Sequence, residues 1–260
     1  MRALAKLAPA LMLFAAARSP MIDRFVFFPA PLLADPPPGV EERWIRTADG
    51  VDIHAWYATH RDAKASVVWS HGNGGSIGER GWLLVALAAR GLDVLAYDYR
   101  GYGKSRGRPS EAGVYLDAEA AFDSERVRRG AGVPIACFGE SLGGAVTIHL
   151  ATRRSCSAVA VVSTFTRLRD VAWRHYGPLA PLAGDRFDSL SRVSALKAPF
   201  FAAHGDRDDV VPYELGERLF AAAPEPKRFL RVPGAGHDDV FDHEELLAEL
   251  IRFLREPREP

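Results

Sequence analysis

Six short apolar runs, at 66–70, 92–97, 135–138, 158–162, 200–203 and 229–232, alternate with helical stretches at 79–90, 111–129, 145–154, 213–223 and 239–254. Each run is strand-length and has few polar positions, so both of its faces must be covered. Strands of that kind belong to a mainly parallel sheet held between layers of helices. Gly91 and Gly130 are helix stops, and Pro212 suits a helix start. Ahead of this rhythm, 44–47 and 51–59 read as strands joined at Ala48-Asp49-Gly50, where Asp-Gly supplies the positive φ of a tight hairpin. The expected fold class is therefore α/β, with a mainly parallel central sheet, an N-terminal antiparallel hairpin and helices on both faces.

The chain divides into three parts. Residues 40–260 read as a single domain, which suits 260 residues of α/β pattern. Residues 29–39 hold Pro29, Pro31, Pro36, Pro37 and Pro38 and read as a stiff connector. Residues 1–28 form an N-terminal apolar segment: Arg2 and Lys6 precede the apolar run 7–17, and Arg18 follows it. That run is shorter than a membrane span and resembles a signal peptide. A signal peptide or membrane-associating helix is expected, hence an exported or membrane-associated protein; the alternatives are a helix that packs on the domain and a cytoplasmic protein.

Charge excludes some partners. Lys plus Arg and Asp plus Glu both number 33, so no net field draws in nucleic acid. Cys137 lies in the apolar run before residue 139 and reads as a buried free thiol, while Cys156 lies among polar residues. Neither suggests a disulfide framework or a zinc site.

Chemistry is concentrated past the strand ends, where ligands bind in such sheets. His71-Gly72-Asn73-Gly74-Gly75 follows the first run and Asp98-Tyr99-Arg100-Gly101-Tyr102-Gly103-Lys104-Ser105 the second. The third leads into Gly139-Glu140-Ser141-Leu142-Gly143, a Gly-x-Ser-x-Gly turn between strand and helix that lifts a serine hydroxyl clear of the sheet. A side chain at Gly139 or Gly143 would collide with the folded backbone. His204-Gly205-Asp206-Arg207-Asp208-Asp209 follows the fifth run, and Gly234-Ala235-Gly236-His237 the last. A serine needs a base to take its proton, and the base needs an acid to orient it. Ser141 and His237 fill the first two roles, and spacing leaves Asp206, Asp208 and Asp209 open for the third.

These ordered motifs resemble the α/β-hydrolase superfamily, whose triad runs Ser, Asp or Glu, His. The resemblance covers residues 40–260 and is narrowest to the small abhydrolase-domain and serine-aminopeptidase-like serine hydrolases, which include depalmitoylases. It implies Ser141 as nucleophile, His237 as base and Asp208 as acid, with Asp206 the runner-up and Asp209 a helix cap. It also implies an oxyanion hole from the backbone N–H groups of Leu142 and Asn73, each such donor being worth ~3 kcal/mol.

The remaining polar residues read as structural. His71 and His204 each open a His-Gly turn, His54 and His149 sit within a strand and a helix, and Asp98 with Arg100 is expected to brace the loop beside the elbow. The acidic residues around His243 read as a helix start. The loop at 72–75 lacks a P-loop ending. No metal and no cofactor is implied. Between 163 and 198 lies a lid-like insertion with Phe165, Trp173, Tyr176 and Leu182 as candidate substrate-binding residues, apolar enough for a lipophilic acyl group. The expected function is hydrolysis of a carboxylic ester or thioester of a small-molecule or acylated substrate through an acyl-enzyme. An amide or peptide hydrolase with the same triad and a non-catalytic scaffold are the alternatives.

Overall fold

In the computed structural model, which describes residues 20–32 and 34–256, the chain enters through helix α1 (Pro20–Val26) and strand β1 (Phe28–Pro29). Val26 and Phe27 are buried in the core, and Phe27 meets Phe187 edge-on with ring centroids 6.0 Å apart. Strand β1 lies parallel to β5 (Gly74–Gly75), with Phe28 opposite Gly74. Residues 20–29 are thus joined to the fold ahead of residue 40. The apolar patch 25–28 is divided, two side chains in the core and two, Phe25 and Phe28, exposed. The run 7–17 lies outside the described residues.

The hairpin forms as expected. Strand β2 (Val40–Arg46) pairs antiparallel with β3 (Asp52–Ala58), and Gly50 makes the turn at φ +83°. The alternation then runs β4 (Ala65–Ser70), α2 (Gly81–Ala88), β6 (Leu92–Tyr97), α3 (Glu111–Arg129), β7 (Ile135–Glu140), α4 (Leu142–Arg153) and β8 (Val159–Val162). The insertion follows as α5 (Leu168–Tyr176), a 3-10 stretch (Gly177–Ala183) and α6 (Ser189–Val193). Strands β9 (Phe200–Gly205) and β10 (Lys227–Val232), with α7 (Tyr213–Ala222) between them and α8 (Glu244–Arg255) after, complete the chain. Three helix starts differ from their sequence reading: α4 opens directly after Ser141, at Leu142 rather than 145, and two others open later. Residues Ile77–Arg80 and Val240–Asp242 are 3-10 turns, the first closed by a capping box between Ser76 and Glu79.

The sheet order is β10-β9-β8-β7-β4-β6-β3-β2, and among these eight strands β3 alone runs against the rest. After β4 the chain moves outward to β6, then crosses back to β7 on the other side of β4. That reversal opens a crevice beyond the ends of β4 and β7. One face of the sheet packs on α3, α4 and α7 through residues such as Val114, Val146 and Leu219; the other packs on α2 and α8 through Leu84 and Leu250.

Cys137 and Cys156 form a disulfide, contrary to the free-thiol reading. The chain leaving α4 turns back beside β7, where Ser157 N–H donates to Ile135 O and Cys137 N–H to Ala158 O. This return brings the two Cα atoms to 5.8 Å, within disulfide range, across 19 residues of sequence.

Candidate active site

Ser141 stands between β7 and α4 with φ 51° and ψ −119°, a left-handed conformation that a side-chain-bearing residue adopts only under constraint. The constraint is visible on every side. Ser141 N–H donates to Val162 O at 2.9 Å, and Thr164 Oγ1 donates to Ser141 O at 2.8 Å. A Cβ on Gly139 would run into the Gly143 carbonyl, and one on Gly143 into the carbonyl of Ser70. Both glycines therefore let the elbow press against its neighbours, as the spacing of the motif predicts. Leu142 opens α4, so its N–H has no acceptor within the helix.

The loops after β9 and β10 meet this turn. His237 Nε2 lies 3.1 Å from Ser141 Oγ, and His237 Nδ1 lies 2.7 Å from Asp208 Oδ2. A carboxylate only accepts, so Nδ1 carries the proton and the unprotonated Nε2 faces the serine hydroxyl. The Asp208 side chain is fully buried, and its Oδ1 accepts the N–H groups of Val210 and Val211 at 3.0 and 2.7 Å. Its Oδ2 also lies 3.2 Å from His204 Nε2, which donates to Val211 O at 2.9 Å. Burial works against the charge, but the hydrogen bonds from His204 and His237 outweigh it and hold the carboxyl well below the usual range. Burial likewise disfavours a charged His237, yet its bond to the Asp208 anion prevails and raises its pKa above 6.5.

The other two candidate acids do different work. Asp206 accepts Gly234 N–H at 2.7 Å and pairs with Arg231 at 2.8 Å, stapling the two loops together. Asp209 is exposed and caps nothing: α7 is preceded by Pro212, with no side-chain cap.

Asn73 is held from behind. Its Nδ2 donates to Val26 O at 2.6 Å, and its Oδ1 accepts from Tyr102 Oη at 2.8 Å and from Phe28 N–H at 3.3 Å. Its amide is thus used by the entering chain. His71 Nδ1 donates to Gly72 O at 2.6 Å, and burial keeps the ring neutral. Asp98 accepts Ile77 N–H at 2.8 Å and so braces the end of this loop. Arg100 does not: its guanidinium pairs with Asp117 on α3 and with Asp49 in the hairpin turn. His54 is fully buried between Glu42 and Asp98, and His149 stacks on Tyr115 at 3.7 Å, its pKa pushed down to about 4 by burial.

The insertion separates its four candidate residues. Phe165 is buried in the core beside Thr164, whereas Trp173, Tyr176 and Leu182 are 61%, 65% and 44% exposed. Helix α5 docks on the acid loop through His175 Nε2 donating to Val210 O at 2.8 Å, and Arg186 pairs with Asp23 of α1 at 2.6 Å. A cleft of about 500 Å³ lined by Trp44, Leu116 and Arg154 lies at the hairpin end of the sheet, four strands from β7. Among the described residues no three metal-binding side chains come together, and no helix is long and apolar enough to cross a membrane.

Residues 61–190 match the serine aminopeptidase S33 family. An uncharacterized protein of Mycobacterium tuberculosis is 40% identical over 250 residues, spanning 90% of this chain and 87% of its own length. The chain belongs to the serine aminopeptidase S33 family. Its relatives reach vertebrates: the alpha/beta hydrolase domain-containing protein 17C of Xenopus tropicalis is 32% identical, over 80% of this chain and 71% of that one. An esterase of Pyrococcus furiosus superposes with a TM-score of 0.72 at 20% identity, covering 87% of this chain and 98% of that one, which shows the fold. This S33 chain is therefore an α/β-hydrolase-fold hydrolase, as its motifs led one to expect.

Three contributors to this candidate site escaped the sequence reading. His204 supports the acid, and its signal was only a His-Gly pair. Arg80 and Glu140 reach across to the Gly72 loop, Glu140 accepting Gly72 N–H at 2.9 Å as well as the Arg80 guanidinium. Glu140 was read only as the variable position of the motif, because nothing local tells which way its side chain turns.

Proposed function

We propose that this protein is a serine hydrolase of carboxylic esters or thioesters, working through Ser141, His237 and Asp208. The observation that carries this reading is the continuous chain of hydrogen bonds from a buried, ionised carboxylate through one imidazole to a hydroxyl on a strained elbow. In the first step Ser141 Oγ attacks the substrate carbonyl carbon while His237 Nε2 takes the hydroxyl proton. The backbone N–H groups of Leu142 and Asn73 meet the oxyanion. The tetrahedral adduct collapses to an acyl-enzyme, and His237 gives its proton to the departing alcohol or thiol. Water then attacks the acyl carbon, again with His237 as base, and releases the acid.

A lipophilic acyl group fits the surroundings. Trp173, Tyr176 and Leu182 on the insertion and Phe25 and Phe28 on the entering chain are exposed apolar side chains, and Phe165 is buried next in sequence to Thr164, which bonds the elbow. Those exposed side chains, together with the apolar run 7–17, support action at or near a membrane. An amide hydrolase would share the triad and is suggested by the family's name. Glu140, the carboxylate nearest the nucleophile in sequence, is already taken by Arg80 and Gly72 N–H rather than left to hold a substrate amine.

The test is labelling by a fluorophosphonate probe, followed by hydrolysis of p-nitrophenyl esters, thioesters and anilides of matched acyl chains. The expected outcome is labelling lost in Ser141→Ala, with esters and thioesters of longer chains turned over faster than anilides. Folded wild-type protein that resists the probe would favour a scaffold, and faster anilide cleavage would favour the amide reading.

A further inference from the structure

The residue ahead of the nucleophile carries an ion pair that ties the elbow to the loop opposite. Glu140 extends its carboxylate, 12% exposed, to Gly72 N–H at 2.9 Å and to Arg80 Nε. From there Arg80 Nη1 donates to Gly74 O at 2.9 Å and to Ser76 O at 3.0 Å. A single pair of side chains thus fixes three backbone groups of one loop, on both sides of Asn73. A Cβ built on Gly72 would sit 3.3 Å from Arg80 Nη2 and 3.4 Å from Glu140 Oε1, so the loop lies directly against the pair.

We propose that Glu140 and Arg80 are positioning residues for the oxyanion hole, setting the Asn73 N–H at a fixed place relative to Leu142 N–H. The inference rests on the acyl-transfer reading of Ser141. Its physical basis is that one donor follows the nucleophile while the other belongs to a glycine-rich loop, and glycine leaves a backbone free to wander. Hydrogen-bond donors stabilise an oxyanion only where they are already aimed when charge develops. Glu140 is joined through one peptide bond to Ser141, so anchoring the loop to Glu140 references one donor to the other. The pair makes no hydrogen bond to Ser141 or His237, although the Glu140 charge adds to the field that favours a protonated His237, so kcat is compared on the pH plateau of each variant.

The test compares wild type with Glu140→Ala, Glu140→Gln, Arg80→Ala, Arg80→Lys and the double alanine variant. Three quantities are measured: kcat and KM for a short-chain p-nitrophenyl ester, and the affinity of a trifluoromethyl ketone, whose hemiketal with Ser141 places an oxyanion in the hole. The single alanine variants are expected to lose kcat by tenfold to a hundredfold, on the order of part of one oxyanion donor, with KM within about twofold. Ketone affinity is expected to fall by the same factor as kcat, and the double variant to be no worse than either single, because the two act as one unit. Glu140→Gln still accepts Gly72 N–H and Arg80→Lys keeps its charge, so both are expected between wild type and alanine. These two also serve if the alanine variants do not fold. Ketone affinity unchanged in folded variants would overturn the proposal, whether or not kcat fell. Additive losses in the double variant would overturn it too. Wild type that neither hydrolyses the ester nor binds the ketone would instead bring down the acyl-transfer reading, and this inference with it.

Discussion

Asp208 and His237, 29 residues apart in sequence, share a 2.7 Å contact between carboxylate and Nδ1, while Asp206, two residues earlier, turns out to Arg231. The two acids sit on one loop but hold different partners, so they separate by mutation. Asp208→Asn is expected to lower kcat by about 10⁴-fold, because an amide in that place no longer fixes the tautomer that leaves Nε2 free. Asp206→Asn removes one exposed ion pair and is expected to change kcat by less than about fivefold. Steady-state turnover of one ester by both variants checks this, and the opposite ranking would move the acid to Asp206.

The same contact sets the pH dependence. In the proposed mechanism His237 serves as base only when neutral, and the Asp208 anion favours its charged form, so protonation persists to higher pH. The acid limb of kcat/KM is therefore expected above the 6.5 of an ordinary histidine. In Asp208→Asn the anion is gone while burial still disfavours the imidazolium, so the limb is expected to drop below that value. A pH–rate profile of each protein between about pH 5 and 9 reads both, and an unmoved limb would count against the pairing.

Much of this was legible in the sequence, and what was not has identifiable causes. Strand β6 and helix α3 form over the residues expected, because an apolar run interrupted only by Asp93 and a long amphipathic stretch closed by Gly130 leave little choice. The elbow was legible because Gly139, Ser141 and Gly143 report a local steric demand. Helix α5 was not, since it is only nine residues long and its apolar stripe, Leu168 and Val171, is short and only partly buried. Phe27 looked like part of a leader because its partner, Phe187, lies 160 residues away, and no local pattern carries that contact. The disulfide was missed for the same reason: only the return of the chain past β7 makes neighbours of Cys137 and Cys156. Asp208 could be chosen over Asp206 by family resemblance, but not by spacing.

That disulfide brackets the elbow, joining the strand that leads into Ser141 to the segment that leaves α4. Closing a loop of 19 residues removes conformational freedom from the unfolded chain worth about 3 kcal/mol. Cys137→Ala/Cys156→Ala is expected to lose about that much in urea unfolding under non-reducing conditions. Thiol titration of denatured, unreduced wild type is expected to find neither cysteine reactive. Two titratable thiols would show that the bond does not form in the purified protein.

Gly143 offers a sharper test of how tightly the elbow is packed. A methyl group there has no free space: it would meet the main-chain carbonyl of Ser70 at the end of β4, which cannot rotate away as a side chain could. Either the elbow or the central strand must move, so Gly143→Ala is expected to destabilise by at least about 2–3 kcal/mol. Gly132→Ala is the matched control, because a Cβ there meets nothing within 4 Å. It is expected to be neutral or to stabilise by up to about 1 kcal/mol through the unfolded state. Thermal unfolding of the two variants side by side distinguishes a packing requirement from a general intolerance of alanine. Equal stability of Gly143→Ala and wild type would mean that the elbow is looser than the contact with Ser70 implies, and that a strained serine can be held there without it.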